Sequence, residues 1–388
     1  MRILILGSGM YVTGKGQSKT GTILSSIIQS SKKLAITDIV IVSYSANSEM
    51  HTLESADYTN SILGTSVPVS FQFLSDKEPD WIQNFLVQNN FGATVVSLPD
   101  HLHFEYTKLT LEHKIPTLVV KPLTPTYDEG IELLKISKQN NTYCAVEFHK
   151  RWDESNLYLK SSVLQKKLGE VLYFDVNYSQ KVIIPSVQFK DWAAKTNIFQ
   201  YLGVHYVDLI YFITGKKPKS LSVYGTKKKL VSMGIDTWDS VHVSSVWGDP
   251  NSTENDFYAH FNLNWIDSNN TTAMSDQRIS LIGTEGRIDC NQKNRGVEEV
   301  TNSGGAQSIN PYFSSWLADD EHTQQLNGYG YQSIHSFICD VDNLRNGKVT
   351  IEKLNVLRPG IEQSLVSTKF IDLVTQQLHN NNSTQISL

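Results

Sequence analysis

Two polar residues stand where their chemistry could be used. Lys121 directly follows the apolar run Thr117-Leu118-Val119-Val120, and His205 stands three residues ahead of Asp208 in Gly203-Val204-His205-Tyr206-Val207-Asp208. An ammonium group at a strand end can hold a hydroxyl and stabilise negative charge developing on its oxygen. An imidazole, with its ordinary pKa near 6.5, can take up the proton such an oxygen releases. The segment around His205 reads as a helix, so His205 and Asp208 share a face. Each residue also has a plain structural reading. Lys121 would then be a lysine reaching from a strand end to water, and His205 a hydrogen-bonded histidine of the core.

A third feature lies at the N-terminus. Arg2-Ile3-Leu4-Ile5-Leu6 reads as a strand and runs into Gly7-Ser8-Gly9. A strand entering G-x-G opens a dinucleotide-binding βα unit: the first glycine makes the tight turn, and the second leaves room for a pyrophosphate beside the main chain. The helix that follows presents unpaired N–H groups to the phosphates. The pattern is incomplete, because its third glycine would fall at position 12, where Val12 stands.

The elements expected to position these residues fall into two series. Up to about residue 125, short apolar runs alternate with helical segments: Ile39 to Val42, Ala93 to Ser97 and Thr117 to Val120 read as parallel strands buried on both faces. Phe104 to His113 reads as a helix between the last two. Thr124 suits the N-cap and Pro125 the first turn of the next helix, with Asp128 and Glu129 beside them. Ala145 to Phe148 is a further strand. This is the rhythm of a doubly wound α/β sheet, whose strand C-termini line a ligand crevice. Pro99-Asp100-His101-Leu102-His103 and Lys121-Pro122 both follow such strands.

After about residue 150 the period changes to two. Leu172 to Tyr178, Ser220 to Tyr224, Val241 to Val246, Phe257 to Trp265 and Arg278 to Ile282 read as strands without intervening helices, implying an antiparallel sheet. Gly283 to Gly286 reads as a hairpin turn. Gly330 to Arg345 and Gly360 to Leu378 read as helices, and His379 to Ser383 as a frayed polar tail. The expected domains are 1–148 and 149–388.

Bulk properties exclude several classes. With 388 residues, 40% hydrophobic, the chain can bury two cores. A net charge of −5 with no dense basic run points away from nucleic acid. No apolar stretch approaches the roughly 20 residues that span a bilayer. Cys144, Cys290 and Cys339 are too scattered for a disulfide framework or zinc site, so no metal is expected. No leader is evident, and a cytoplasmic location is the expectation.

Taken jointly, the glycine turn, the Pro99-to-His103 segment, Lys121-Pro122, Arg151-Trp152-Asp153, Gly169-Glu170 and Gly203-Val204-His205 with Asp208 resemble the Gfo/Idh/MocA family, the glucose–fructose oxidoreductase and inositol dehydrogenase relatives. The resemblance implies an N-terminal Rossmann domain, a C-terminal α/β domain with an open, mostly antiparallel sheet, and NAD or NADP. It also implies a sugar, cyclitol or nucleotide-sugar substrate and a homodimer or homotetramer. The implied catalytic residues are Lys121, of the family's Glu-Lys-Pro motif, and His205. Val120 replaces that motif's glutamate, and Tyr201 stands where the family often has an aspartate. Tyr201 can relay a proton, but its ordinary pKa near 10 makes it a different acid from a carboxyl.

The expected cofactor contacts are Gly7, Gly9, Met10, Tyr11, Ser43, Tyr44, Pro99, His103 and Lys121. Arg151, Trp192, Tyr201 and Asp208 are the expected substrate contacts. The second strand ends in Val42-Ser43-Tyr44-Ser45, with neither the acid that holds a ribose diol nor an arginine for a 2′-phosphate, so either cofactor fits. Lys15 and Lys19, in the polar loop from Thr13 to Thr20, either reach a phosphate or are simply solvated. The contrasting reading is a non-enzymatic dinucleotide sensor on the same fold.

Overall fold

The computed structural model describes residues 1–74, 81–380 and 386–388. It divides into two compact units. One comprises residues 1–124, 128–152 and 312–365; the other comprises 125–127, 153–311 and 366–388. The division expected near residue 148 is therefore only part of the pattern, because 312–365 pack with the first unit.

The first unit is built on a parallel sheet of β1 (Arg2–Leu6), β2 (Asp38–Ser43), β3 (Val69–Phe73), β4 (Ala93–Val96), β5 (Thr117–Val120) and β6 (Cys144–Glu147), in the order β3-β2-β1-β4-β5-β6. This is the Rossmann order, with the switch point between β1 and β4. Strands β1, β2, β4, β5 and β6 are almost wholly buried, which is why they read as continuous apolar runs. Strand β3, a half-exposed edge strand, has no such signature. Ile3, Ile5, Ile39, Ile41, Ala93 and Val95 form the core with Ile23, Leu24 and Ile27 of a covering helix and with Ile334, Phe337 and Ile338 of helix Tyr329–Arg345. No local signal ties that late helix to this sheet.

The helix expected after the glycine turn is interrupted. It runs only as α1 (Met10–Thr13), ends at Gly14 in the left-handed conformation, and resumes as α2 (Thr22–Ser30). Next come α3 (Glu49–Leu63), α4 (Trp81–Gln88), α5 (His103–Glu112) and α6 (Tyr127–Asn140). Helix α6 begins two residues later than Thr124-Pro125 suggests. Thr126 and Glu129 have the capping-box spacing, which Thr124 lacks.

The second unit contains α7 (Glu154–Leu164), α8 (Val204–Thr214) and a sheet of β7 (Val171–Lys181), β8 (Lys217–Thr226), β9 (Ser240–Gly248), β10 (Phe257–Asp267), β11 (Ser275–Gly283) and β12 (Gly286–Asn291). The order is β12-β11-β7-β10-β9-β8, with the short strand Ile386–Ser387 on the outer edge of β8. The sheet is mixed: β7 and β10 run parallel and the remaining pairs antiparallel. Gly283 pairs with Gly286 across the expected hairpin. His379 and Asn380 close the long helix Ile361–Asn380, while 381–383 of the expected frayed tail lie outside the described residues.

Candidate functional site

In the first unit the glycine turn has the shape a dinucleotide needs. Gly7 has φ +107°, and a Cβ there would stand 2.0 Å from the Ser97 carbonyl oxygen of the adjacent strand exit. Only glycine fits both the conformation and the contact. Gly9 is the opposite case: a Cβ there would meet nothing within 4 Å, so open space lies beside its backbone. Val12 is fully buried in the core. The close backbone approach occurs instead at Gly21, whose Cβ would lie 2.3 Å from the Val12 carbonyl carbon. Gly21 thus lets the chain entering α2 pass directly against the end of α1.

Ser43, at the end of β2, accepts hydrogen bonds from the Ser8 hydroxyl at 2.7 Å and the Ser45 amide at 3.2 Å. Tyr44 is exposed, and its hydroxyl meets that of Tyr106. Pro99 precedes the short helical turn Asp100–Leu102. His103 is fully buried, its ring nitrogens 2.6 Å from the Pro122 carbonyl and 2.8 Å from the Leu98 carbonyl. The ring thus braces the exits of β4 and β5, and its place is in the scaffold of the expected cofactor contacts. Arg151 is buried and donates to Gln363 at 2.7 Å within the same unit.

Lys121 is only 7% exposed at the C-terminal end of β5. Burial penalises its ammonium form and lowers the pKa to about 8, while the charges of Asp100 and Glu147 act in the opposite direction. Glu147 is fully buried at the end of β6, in register with Val120. The carboxylate that the resemblance leads one to look for at position 120 is thus present one strand over. Its Oε2 lies 3.0 Å from His149 Nδ1. The Tyr11 hydroxyl is buried beside this carboxylate and hydrogen-bonds to it. Burial, and after it the Glu147 charge, pushes the phenol well above its ordinary pKa. Tyr11 remains a neutral donor.

Around this charged group lies an aromatic set. The His149 ring is 5.2 Å from Phe313 and 5.6 Å from Tyr329, and Tyr11 is stacked 6.4 Å from Phe313. Sequence reasoning missed Glu147, His149, Phe313 and Tyr329. The parallel register of β5 and β6 could have exposed Glu147. Nothing in the sequence links Phe313 and Tyr329 to residues some 160–300 positions earlier.

The second unit brings together Trp192, Tyr201, His205 and Asp208. Tyr201 lies in a π-helical turn, Phe199–Gly203, that leads directly into α8. Asn197 caps this run, its Oδ1 accepting from the Phe199 and Gln200 amides, and its Nδ2 donates to Thr375 at 3.0 Å. Gly203 is needed for packing, since a Cβ there would press to 2.9 Å against the Phe199 ring. His205 and Asp208 are both buried on α8. Tyr201 meets Phe189 edge-on at 5.0 Å and lies 6.3 Å from both Trp192 and Trp265, while Phe189 and Trp192 are 4.3 Å apart. An aromatic group of this kind, with polar groups nearby, has the apolar lining and few polar contacts of a small-molecule site. Among the described residues there is no cluster of three or more metal-ligating side chains.

Comparison with known proteins places these features in context. Residues 1–148 match the family described as "Oxidoreductase family, NAD-binding Rossmann fold", and residues 157–289 match the "GFO/IDH/MocA C-terminal domain". An uncharacterized oxidoreductase of Schizosaccharomyces pombe is 28% identical over 147 residues, 37% of each chain. The scyllo-inositol 2-dehydrogenase (NADP(+)) of Bacillus subtilis is 26% identical over 132 residues, 33% of this chain and 36% of its own. These matches span about a third of the curated relatives. A crystal structure of scyllo-inositol dehydrogenase from Lactobacillus casei, with bound NAD(H) and scyllo-inositol, superposes with a TM-score of 0.67 at 15% identity, covering 100% of this chain and 98% of that one. No described helix is long and apolar enough to cross a membrane.

Proposed function

Because the chain belongs to the Gfo/Idh/MocA oxidoreductases and carries their NAD-binding Rossmann domain, we propose that it transfers a hydride between a nicotinamide dinucleotide and a hydroxyl-bearing carbon of a cyclitol, sugar or nucleotide sugar. The observation that carries this reading is Lys121: a buried lysine with a pKa of about 8, flanked by two carboxylates at a strand end of the NAD-binding unit. A protein that merely bound the dinucleotide would gain nothing from so costly a placement.

When bound, the nicotinamide supplies the hydride acceptor or donor. The protein must manage the proton and the charge on oxygen. In this reading the Lys121 ammonium binds the reacting hydroxyl and stabilises the developing alkoxide. Glu147 and Asp100 favour the charged form of that ammonium against desolvation. His205 takes the hydroxyl proton as general base, and Tyr201 orients the substrate or relays the proton. Trp192, Tyr201 and Arg151 are assigned to substrate recognition.

The test is a panel of cyclitols, sugars and nucleotide sugars followed at the nicotinamide absorbance band. Lys121→Ala is expected to lower turnover by roughly 10²-fold or more, a far larger effect than its loss of dinucleotide affinity. Unchanged turnover would remove Lys121 from the mechanism. Binding without turnover across the whole panel would favour the sensor reading.

A further inference from the structure

We propose that the loop inserted into the phosphate-binding turn forms a 2′-phosphate site, with Lys15 as its cation, so that the chain prefers NADP(H) to NAD(H). The proposal rests on dinucleotide binding at the glycine turn and is independent of which alcohol is oxidised. The relevant groups lie at the end of β2, where a Rossmann sheet reads the adenosine ribose.

An NAD site needs acceptors at this point, usually a carboxylate for the 2′- and 3′-hydroxyls. The stretch from Ile39 to Ser48 contains no acid. It presents serine hydroxyls and an ammonium group. Lys15 Nζ donates to Ser48 Oγ at 2.6 Å and makes a longer contact of 3.4 Å with Ser45 Oγ. Both hydroxyls accept from the ammonium; Ser48, 1% exposed, anchors it, and half-buried Ser45 keeps its own hydrogen available. Ser43 accepts from the Ser8 hydroxyl and the Ser45 amide, so its hydrogen is free in the same way. Lys15 itself has a third N–H and forms no ion pair among the described residues. A cluster of donors around an unneutralised cation suits a phosphate, which offers only acceptors, and suits a bare ribose diol poorly.

The loop is built to hold that lysine in place. Gly14 and Gly16 have φ of +82° and +81°, and a Cβ on Gly14 would collide with the Ser18 and Thr20 carbonyl oxygens. The Gln17 and Ser18 amides both turn back to the Gly14 carbonyl. Two further contacts fasten the loop to α3: His51 Nε2 lies 3.1 Å from the Thr13 carbonyl, and Lys19 Nζ sits 5.1 Å above the Tyr58 ring. Lys15 is therefore presented to the β2 exit by a braced turn. Of the two acids that flank the stretch, Asp38 is paired with Arg2 at 2.7 Å and Glu49 is exposed at the start of α3.

The experiment measures binding to the full-length chain. Titration with NADPH and NADH, followed by nicotinamide fluorescence, is paired with calorimetry of 2′,5′-ADP against 5′-AMP, which isolates the 2′-phosphate. The expected result is at least roughly tenfold tighter binding of NADPH and of 2′,5′-ADP than of their counterparts. Lys15→Ala should remove most of that ratio by weakening only the 2′-phosphorylated ligands, and Lys15→Arg should retain it. Equal or tighter binding of NADH would overturn the proposal. So would a Lys15→Ala variant in which both cofactors weaken alike, or a chain that binds neither. An NADPH preference in a chain that oxidises no alcohol would support this assignment while overturning the hydride-transfer reading.

Discussion

Lys121 carries the sharpest residue-scale consequence. Burial drives its pKa down to about 8, so the ammonium dominates below that pH and is lost above it. If the ammonium stabilises the alkoxide, kcat/KM falls as pH rises through about 8. Glu147→Gln removes a charge that favours the ammonium, so this limb should move to lower pH. A limb that stays in place would assign it to another group. His205→Asn should lower kcat/KM by about 10²–10⁴-fold and flatten the limb where the base loses activity on protonation. An unaltered profile removes His205 as the base. Lys121 stood out in the sequence because it ends an apolar run, and His205 because it shares a helical face with Asp208 in a segment that resembles the family. Glu147 was hidden, because it ends a strand that reads as ordinary sheet and its significance comes from the register with Val120.

At the scale of elements, the glycines separate fold from binding. Gly9 borders open space, so Gly9→Ala should leave the melting temperature nearly unchanged while weakening dinucleotide binding, because its methyl group enters the phosphate's space. Gly21 abuts the Val12 backbone, so Gly21→Ala must displace main chain, at about 1–3 kcal/mol. Melting curves with cofactor titrations distinguish the two, and equal effects on both readouts would refute the division. The strands of the Rossmann sheet were readable because burial on both faces demands continuous apolar residues. The edge strand β3 and the strands beyond Gly283 were missed, because half-exposed strands need no such pattern. The polar loop read from Thr13 to Thr20 does interrupt the helix after the glycine turn. Its interruption arises from Gly14, Gly16 and Gly21, whose roles depend on what each backbone touches.

At the scale of the whole molecule, the outer face of the second sheet exposes Tyr173, Tyr224 and Tyr258. We expect a second copy to cover it, as the family resemblance implies. Light scattering should then give twice or four times 43.7 kDa, and a monomeric mass would refute the assembly. The sequence by itself determined the dinucleotide fold and the family, because apolar period and local motif are written in consecutive residues. Only the tertiary structure brought residues 312–365 into the first unit, Glu147 and the Phe313–Tyr329 pair to the Lys121 neighbourhood, and Lys15 to the end of β2. These contacts join segments from 27 to some 300 residues apart. Parallel register and long-range packing create them, and neither is encoded in the period of any single stretch.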